Sequence, residues 1–336
     1  MPVTITDVAR EAKVSRATVS RVISRKPITS KEVTERVLLA IEKLGYQPNL
    51  VARSLRVQRS KIIGLIISDI QNPFYTGLVR AVEDTAYKND FLVFLCNSDE
   101  DIEKEILYLK LMIAEKVAGV VITPTQENNN PCRMLLEAGI PVAAVDRSIH
   151  DLDVDSVVVD NYKVAYELVE HLISDSHQLI AIVAGPSTIT TSRERLEGYT
   201  QALYDHGISL NPLYIRQGLP KEDFGYRAVR ELLELQEPPA ALFLVNNLLT
   251  LGALRAIHEK GLRIPDDIAL VAFDDINWTS FVTPPLTVAV QPTYELGRMA
   301  TEMLINRIKD PTIPSERQVI HASVFIQKSC GNHSLL

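Results

Sequence analysis

The sequence predicts an all-α helix-turn-helix head followed by an α/β body of two doubly wound parallel-sheet lobes. Three observations lead there. Residues 1–61 hold 13 Lys and Arg against 5 Asp and Glu, a net of +8 on a chain whose total is −7, which leaves −15 for residues 62–336. Residues 4–45 space their apolar side chains as helices do, with short connections between them. From Lys61 onward, short apolar runs alternate with amphipathic stretches, the pattern of parallel sheets covered on both faces. A positive head on a negative body points to a polyanionic partner for the head alone.

In the head, Thr4–Ala12 reads as a short helix, with Thr4 and Asp7 as a capping box and Ile5, Val8, Ala9 and Ala12 as its apolar face. Ser15 is placed to cap a second helix through RATVSRVIS, which turns Val19, Val22 and Ile23 inward. Two short helices joined this tightly form a helix-turn-helix. A third helix begins at Thr29 or Ser30, with Glu32 as the capping partner of Thr29. It buries Val33, Val37, Ala40, Ile41 and Leu44 and stops at Gly45, with Pro48 shortly after. The outward face of the second helix then carries Arg16, Ala17, Ser20 and Arg21. Such side chains suit a major groove: arginine bridges guanine O6 and N7, hydroxyls hold phosphates, and a small apolar group lies against a thymine methyl. Spacing alone fits a basic solvated bundle equally well, and the charge split is what favours nucleic acid. Asn49 can cap one more brief helix, LVARSLR, too short to persist alone. The bland alternative for this segment is an interdomain linker.

In the body, strands are expected at Ile62–Ser68, Phe91–Asn97, Ala118–Thr123, Pro141–Asp146, Ser156–Val159, Leu179–Gly185, Leu213–Gly218, Ala240–Val245 and Ile268–Phe273. The helices between them fall at about Phe74–Lys88, Asp101–Lys116, Pro131–Ala138, Tyr162–Ser174, Ser192–His206, Gly225–Leu235 and Leu249–Lys260. The body, residues 62–336, is long for one such sheet, so two lobes are expected. Ligands of open parallel sheets sit beyond the carboxyl ends of the strands. There the chain places SDIQNPFY, Asp146-Arg147, GPSTITTSRERLEGY, Asn246-Asn247 and Asp274-Asp275. Any one of these is ordinarily a loop or cap residue. Five loops bringing aromatics, amides, carboxylates and arginines together make a sugar site, where rings stack on aromatic faces and hydroxyls pair with Arg, Asn and Asp.

Catalytic and cofactor motifs are missing. No GxGxxG follows Ile62–Ser68, and neither a phosphate-binding GxxxxGK[ST] loop nor a GxSxG elbow occurs. Histidines 150, 171, 177, 206, 258, 321 and 333 show no metal-ligand spacing, and Cys96, Cys132 and Cys330 are far apart. No cofactor, metal or redox role is expected. Asp146 with Asp274 is the one carboxylate pair to consider, and hydroxyl binding accounts for both. Residues 1–15 are polar and alternate in charge, and no apolar run is long enough to span a membrane. The chain therefore reads as cytoplasmic and disulfide-free, with no membrane partner.

The order DVAREAKVSRATVSRV, LGYQPN, VARSL resembles the lactose-repressor (LacI/GalR) family of bacterial transcription regulators. The words NPFYTGLVRAVED, FLCNSDED, RERLEGY, LGALRAI and DDINWTSFVTPPLTVAVQP, with ELG after them, are most similar to that family's ribose- and purine-repressor branch and to two-lobed periplasmic sugar-binding proteins. The resemblance runs to about Ser329. It implies a homodimer on pseudopalindromic double-stranded operator DNA, and a hinge helix that folds on the DNA and wedges Leu55 into the minor groove beside Ala52. The DNA contacts it implies are Thr4, Ser15, Arg16, Ala17, Thr18, Ser20 and Arg21 in the head and Asn49, Ala52, Leu55 and Arg56 in the hinge. Arg16 and Ala17 would be the variable base readers and Arg21 the guanine contact. The division implied is 1–48 for the head, 49–61 for the hinge and 62–336 for the body. Within the body, 62–160 with 292–319 would form one lobe and 161–291 with 320–330 the other, joined by three crossings. The effector residues implied are Asn72, Phe74, Tyr75, Asp146, Arg147, Arg195, Asn246, Phe273, Asp274 and Gln291, with Arg193 as a further candidate.

Two departures from the family pattern matter. Ile189 stands where the purine branch has its charged ligand contact, and Asn247 replaces a frequent acid. A purine corepressor is thereby disfavoured, while a neutral sugar and a sugar acid or phosphate stay open. So do the sign of the effector's action and the help of a partner protein. A sugar-processing enzyme is the remote alternative.

Overall fold

The computed structural model describes residues 3–23, 30–46, 60–128, 130–274 and 283–331. The chain separates into two compact units, residues 1–60 and 61–336.

The first unit holds α1 (Ile5–Glu11), α2 (Arg16–Ile23) and α3 (Lys31–Leu44). They close on Val8, Ala9, Ala12, Val19, Val22, Val37 and Ala40. At the start of α1, the Asp7 carboxylate accepts from the Thr4 backbone N–H at 3.0 Å and from its hydroxyl at 2.6 Å. Lys13 takes a left-handed backbone (φ 52°), which turns the chain between α1 and α2. The Ser15 hydroxyl oxygen then caps α2, accepting from Thr18 N–H at 3.1 Å. Ser30 caps α3, accepting from Val33 N–H at 3.4 Å; Thr29 lies outside the described residues. Gly45 closes α3 at φ 59°, the left-handed conformation a helix stop favours.

The second unit holds two six-stranded sheets. One contains β1 (Ile62–Ile67), β2 (Leu92–Asn97), β3 (Gly119–Ile122), β4 (Val142–Val145), β5 (Asp155–Val159) and β11 (Arg317–Ile320), in the order β11-β5-β4-β3-β1-β2. The other contains β6 (Ile180–Ala184), β7 (Ile215–Gln217), β8 (Ala241–Leu244), β9 (Ala269–Phe273), β10 (Thr287–Val290) and β12 (Ser323–Phe325), in the order β12-β10-β9-β8-β6-β7. All pairings are parallel except β10 with β12. The helices between them are α4 (Phe74–Lys88), α5 (Ile102–Ala114), α6 (Arg133–Glu137), α7 (Asn161–Ser174), α8 (Thr190–Asp205), α9 (Glu222–Leu233), α10 (Asn247–Glu259) and α11 (Thr293–Lys309).

The central strands β1, β3, β4 and β5 of the first sheet are buried, while its edge strands β2 and β11 are partly exposed. Ile63, Leu65 and Ile67 of β1 enter one core and Ile66 the other, as a two-residue period requires. The chain leaves the first sheet after β5 and returns after β10 through α11, which packs on α4. After β11 it crosses a third time to β12. Gly297 lets α11 approach α4: a Cβ there would meet the Leu78 carbonyl oxygen at 2.5 Å.

One expected element differs. The strand foreseen at Leu213–Gly218 opens as a 3₁₀ turn, Pro212–Tyr214, and only Ile215–Gln217 pairs. The Asn211 side chain accepts from Leu213 N–H at 3.0 Å and Pro212 fixes the turn, so local capping overrides the apolar pattern.

Candidate functional sites: a cleft between the sheets and a helical reading face

The two sheets direct the carboxyl ends of β1, β4, β6, β8 and β9 into one cleft, where the order of each sheet reverses around β1 or β6. Its lining includes Asn72, Phe74, Tyr75, Asp146, Arg147, Arg195, Asn246, Asp274 and Gln291. Ser68, Asp69, Glu100, Thr191, Ser192, Pro220 and Val245 complete it. The enclosed space is about 40 Å³, room for a few waters.

Asp146 and Asp274 occupy matching places, at the ends of β4 and β9, and both have left-handed backbone (φ 69° and 75°). Strain of this kind concentrates at functional sites. Burial pushes the Asp146 carboxyl up to about 6, against the pull of Arg147 and Arg195. Burial likewise raises Asp274 against Arg195, while Gln291 donates its amide to it.

Arg147 is held through both terminal nitrogens. Its guanidinium donates to both Glu100 oxygens, at 2.6 and 2.9 Å, and to the Pro124 carbonyl at 3.0 Å. Burial opposes the charge on Glu100, but Arg147, with Ser68 and Lys221, offsets it and holds the carboxyl below its usual range. Arg195 is built differently. Its Nε donates to Asn161 Oδ1 at 2.9 Å and its Nη1 to the Val245 carbonyl at 2.5 Å, and its plane lies 3.6 Å over the Phe273 ring. Burial lowers its pKa, opposed by Asp274 and Asp146. The Tyr75 hydroxyl and Ser68 share a hydrogen bond of 2.7 Å, and Phe74 packs edge-on to Tyr75 at 5.0 Å.

Two expected cleft residues stand elsewhere. Phe273 is fully buried beneath Arg195 and supports it from behind. Arg193 pairs with Glu127 at 2.6 Å and Glu197 at 3.6 Å. The one-residue spacing of Arg193 and Arg195 on α8 turns their side chains apart by about 200°. Asn246 serves in two ways, lining the cleft while its Oδ1 caps α10 by accepting from Leu249 N–H at 2.8 Å. Asn247 reaches Asn72 across the cleft at 3.3 Å. Lys221 bridges the same gap to Asp69 at 2.8 Å and Asp99 at 2.6 Å. Buried atoms without a hydrogen-bond partner among the described residues include Asn247 Oδ1, Gln291 Oε1 and Arg147 Nε. Asp275 falls outside the described residues.

Glu100, Asn161 and Lys221 escape a reading that attends to strand ends. Glu100 does sit in FLCNSDED, a stretch with acids to spare, and its left-handed φ of 59° marks it afterwards.

In the head, Arg16, Ala17, Ser20 and Arg21 form an exposed face of α2, with Thr4 and Ser15 exposed and Thr18 half-buried. The Ser15 and Thr18 hydroxyls share a hydrogen bond of 2.9 Å. Asn49, Ala52, Leu55 and Arg56 lie outside the described residues. No helix among the described residues is long and apolar enough to cross a membrane.

Residues 4–49 match the family model of bacterial regulatory proteins, lacI family, and residues 60–330 that of periplasmic binding proteins and the sugar binding domain of the LacI family. The HTH-type transcriptional repressor PurR of Pasteurella multocida is 34% identical over 329 residues, 97% of this chain and 98% of that one. The ribose operon repressor of Halalkalibacterium halodurans is 37% identical over 326 residues, 97% of this chain and 96% of that one. A lac repressor dimer solved on operator with the anti-inducer ONPF superposes with a TM-score of 0.85 at 28% identity, covering 99% of this chain and 100% of that one. These relatives are named as repressors and none as an enzyme. The chain belongs to the LacI family of bacterial regulatory proteins, a DNA-binding transcriptional repressor with a sugar-binding domain.

Proposed function

We propose that this repressor is a bacterial cytoplasmic homodimer whose operator affinity is set by a neutral sugar held between the lobes. The observation that carries the neutral assignment is the bidentate Arg147–Glu100 pair. It cancels the cleft's first guanidinium. Arg193 is spent on Glu127, and Arg195 faces two buried carboxylates. A sugar phosphate or sugar acid would enter a cleft where the carboxylates Glu100, Asp146 and Asp274 outnumber the guanidinium groups of Arg147 and Arg195, whereas hydroxyls can donate to Asp146 and Asp274 and accept from Arg195 and Asn246.

The DNA-facing residues are Arg16, Ala17 and Arg21 for bases, Thr4, Ser15, Thr18 and Ser20 for phosphates, and Asn49, Ala52, Leu55 and Arg56 for the hinge. The domains run 1–48, 49–61 and 62–336, with the body split as 62–160 plus 292–319 and 161–291 plus 320–330; the two strand orders support that split. Dimerisation has a ready surface: Leu92, Phe94 and Leu95 of the edge strand β2 and Leu107 and Leu111 of α5 are exposed, and an apolar sheet edge of this kind calls for a cover. Two heads on one dimer multiply a weak single contact through their effective concentration.

A thermal-shift panel tests the effector class. Ribose, other pentoses, hexoses and a disaccharide are compared with their acids and phosphates. A neutral sugar is expected to raise the melting temperature by mass action. Stabilisation by a charged derivative alone would refute the neutral assignment.

A further inference from the structure

Away from the cleft, the last turn of α7 and the C-terminal segment bring together three side chains of different donor type. His171 and Asp175 are four residues apart and so share one helix face. Cys330, from the far end of the chain, lies against them and is fully buried. His171 Nε2 stands 3.2 Å from Cys330 Sγ and 3.5 Å from Asp175 Oδ2, and all three atoms lie within 4.8 Å of one another. One nitrogen thus faces both the sulfur and the oxygen.

Tetrahedral zinc, with bonds of about 2.3 Å to sulfur and about 2.0–2.2 Å to nitrogen and oxygen, separates its ligands by about 3.5 Å for S···N and about 3.3 Å for N···O. The two spacings at His171 Nε2 fall within about 0.3 Å of those edges. The surroundings hold the sulfur in place. The Thr287 hydroxyl lies 2.9 Å from Cys330 Sγ, and His177 Nε2 meets the Cys330 carbonyl at 2.9 Å. Next in sequence, Gly331 passes so close that a Cβ would stand 3.1 Å from Asp175 Oδ2.

We propose that His171, Asp175 and Cys330 form a binding site for a divalent transition metal of the zinc class, tying the C-terminal segment to α7. The sulfur, imidazole and carboxylate set suits zinc over magnesium or calcium, which prefer oxygen alone. Binding takes the thiol as thiolate, with its proton released to solvent. Three protein ligands leave a fourth position for water, as in an exchangeable site.

Co²⁺ titration of chelator-stripped full-length protein tests this. The expected result is one equivalent per chain, with thiolate-to-cobalt absorption that Zn²⁺ abolishes. Cys330→Ser is expected to lose that absorption. Asp175→Asn should weaken binding by more than about tenfold, since even outer-shell partners are worth 10–100-fold. Zn²⁺ should also raise the wild-type melting temperature and leave that of Cys330→Ser unmoved. Absence of a thiolate band in wild type, a band unchanged in Cys330→Ser, or undiminished cobalt affinity in a folded Asp175→Asn would each overturn the site.

Discussion

Arg147 brings its charge into the cleft already matched by Glu100, and that pairing is invisible in sequence because the partners lie 47 residues apart. Their identity is plain from the chain, whereas their compensation is a property of the fold. The same holds for Glu105, which has a helical position but no surface. Burial pushes its carboxyl up to about 7, although Oε2 accepts from Thr125 N–H at 2.8 Å. With the native pKa above its ordinary value of 4.5, the folded chain binds the extra proton between those two values. The contribution to stability is whole below the lower value and is lost as pH rises through the higher one. Glu105→Gln keeps an acceptor for Thr125 and removes the charge. We expect it to stabilise the protein by roughly 1–3 kcal/mol at pH 8, with the gain fading near pH 5. Melting curves at both pH values check this; an equal gain at each would remove burial of the charge as its cause.

The head's helices were legible because each carries its own local signals. Thr4 with Asp7, Ser15 and Gly45 all stand where the sequence sets them, and α2 leaves Arg16, Ala17, Ser20 and Arg21 outward. The βα alternation was equally readable, since apolar runs such as Ile62–Ile67 are buried on both faces. Where local capping opposes the pattern, at Asn211 and Pro212, the expected strand starts two residues late. The strands β10, β11 and β12 lie beyond the regular alternation, and their sheets are assigned by long-range pairing. At this scale the head makes one sharp prediction. Arg21→Ala should lose about 1–3 kcal/mol of base discrimination at one position of each half-site. Selection from random duplexes measures it, and an unaltered sequence preference would remove Arg21 from base reading.

For the whole molecule, what the sequence supplied was a list of loops, and what the fold supplied was their convergence. Nine of the eleven expected effector residues line one cleft. Phe273 and Arg193 do not, because one lies behind Arg195 and the other points along a different side of α8. Lys221 with Asp69 and Asp99 crosses between the sheets beside the cleft, and Asn247 with Asn72 does so within it. These contacts are made in one relative setting of the lobes, so a ligand that changes that setting must exchange its own contacts for them. A ligand acts on the head only through its differential affinity for two states of the repressor. That coupling is reciprocal: whatever factor the sugar imposes on operator affinity, operator must impose on sugar affinity. The direct measurement is the dissociation constant of a neutral sugar drawn from the thermal-shift panel, taken for the free repressor and for the repressor saturated with a selected operator duplex. The account predicts that the two constants differ by at least about fivefold, matched by an equal change in operator affinity when the sugar is saturating. Equal constants with and without operator would contradict it.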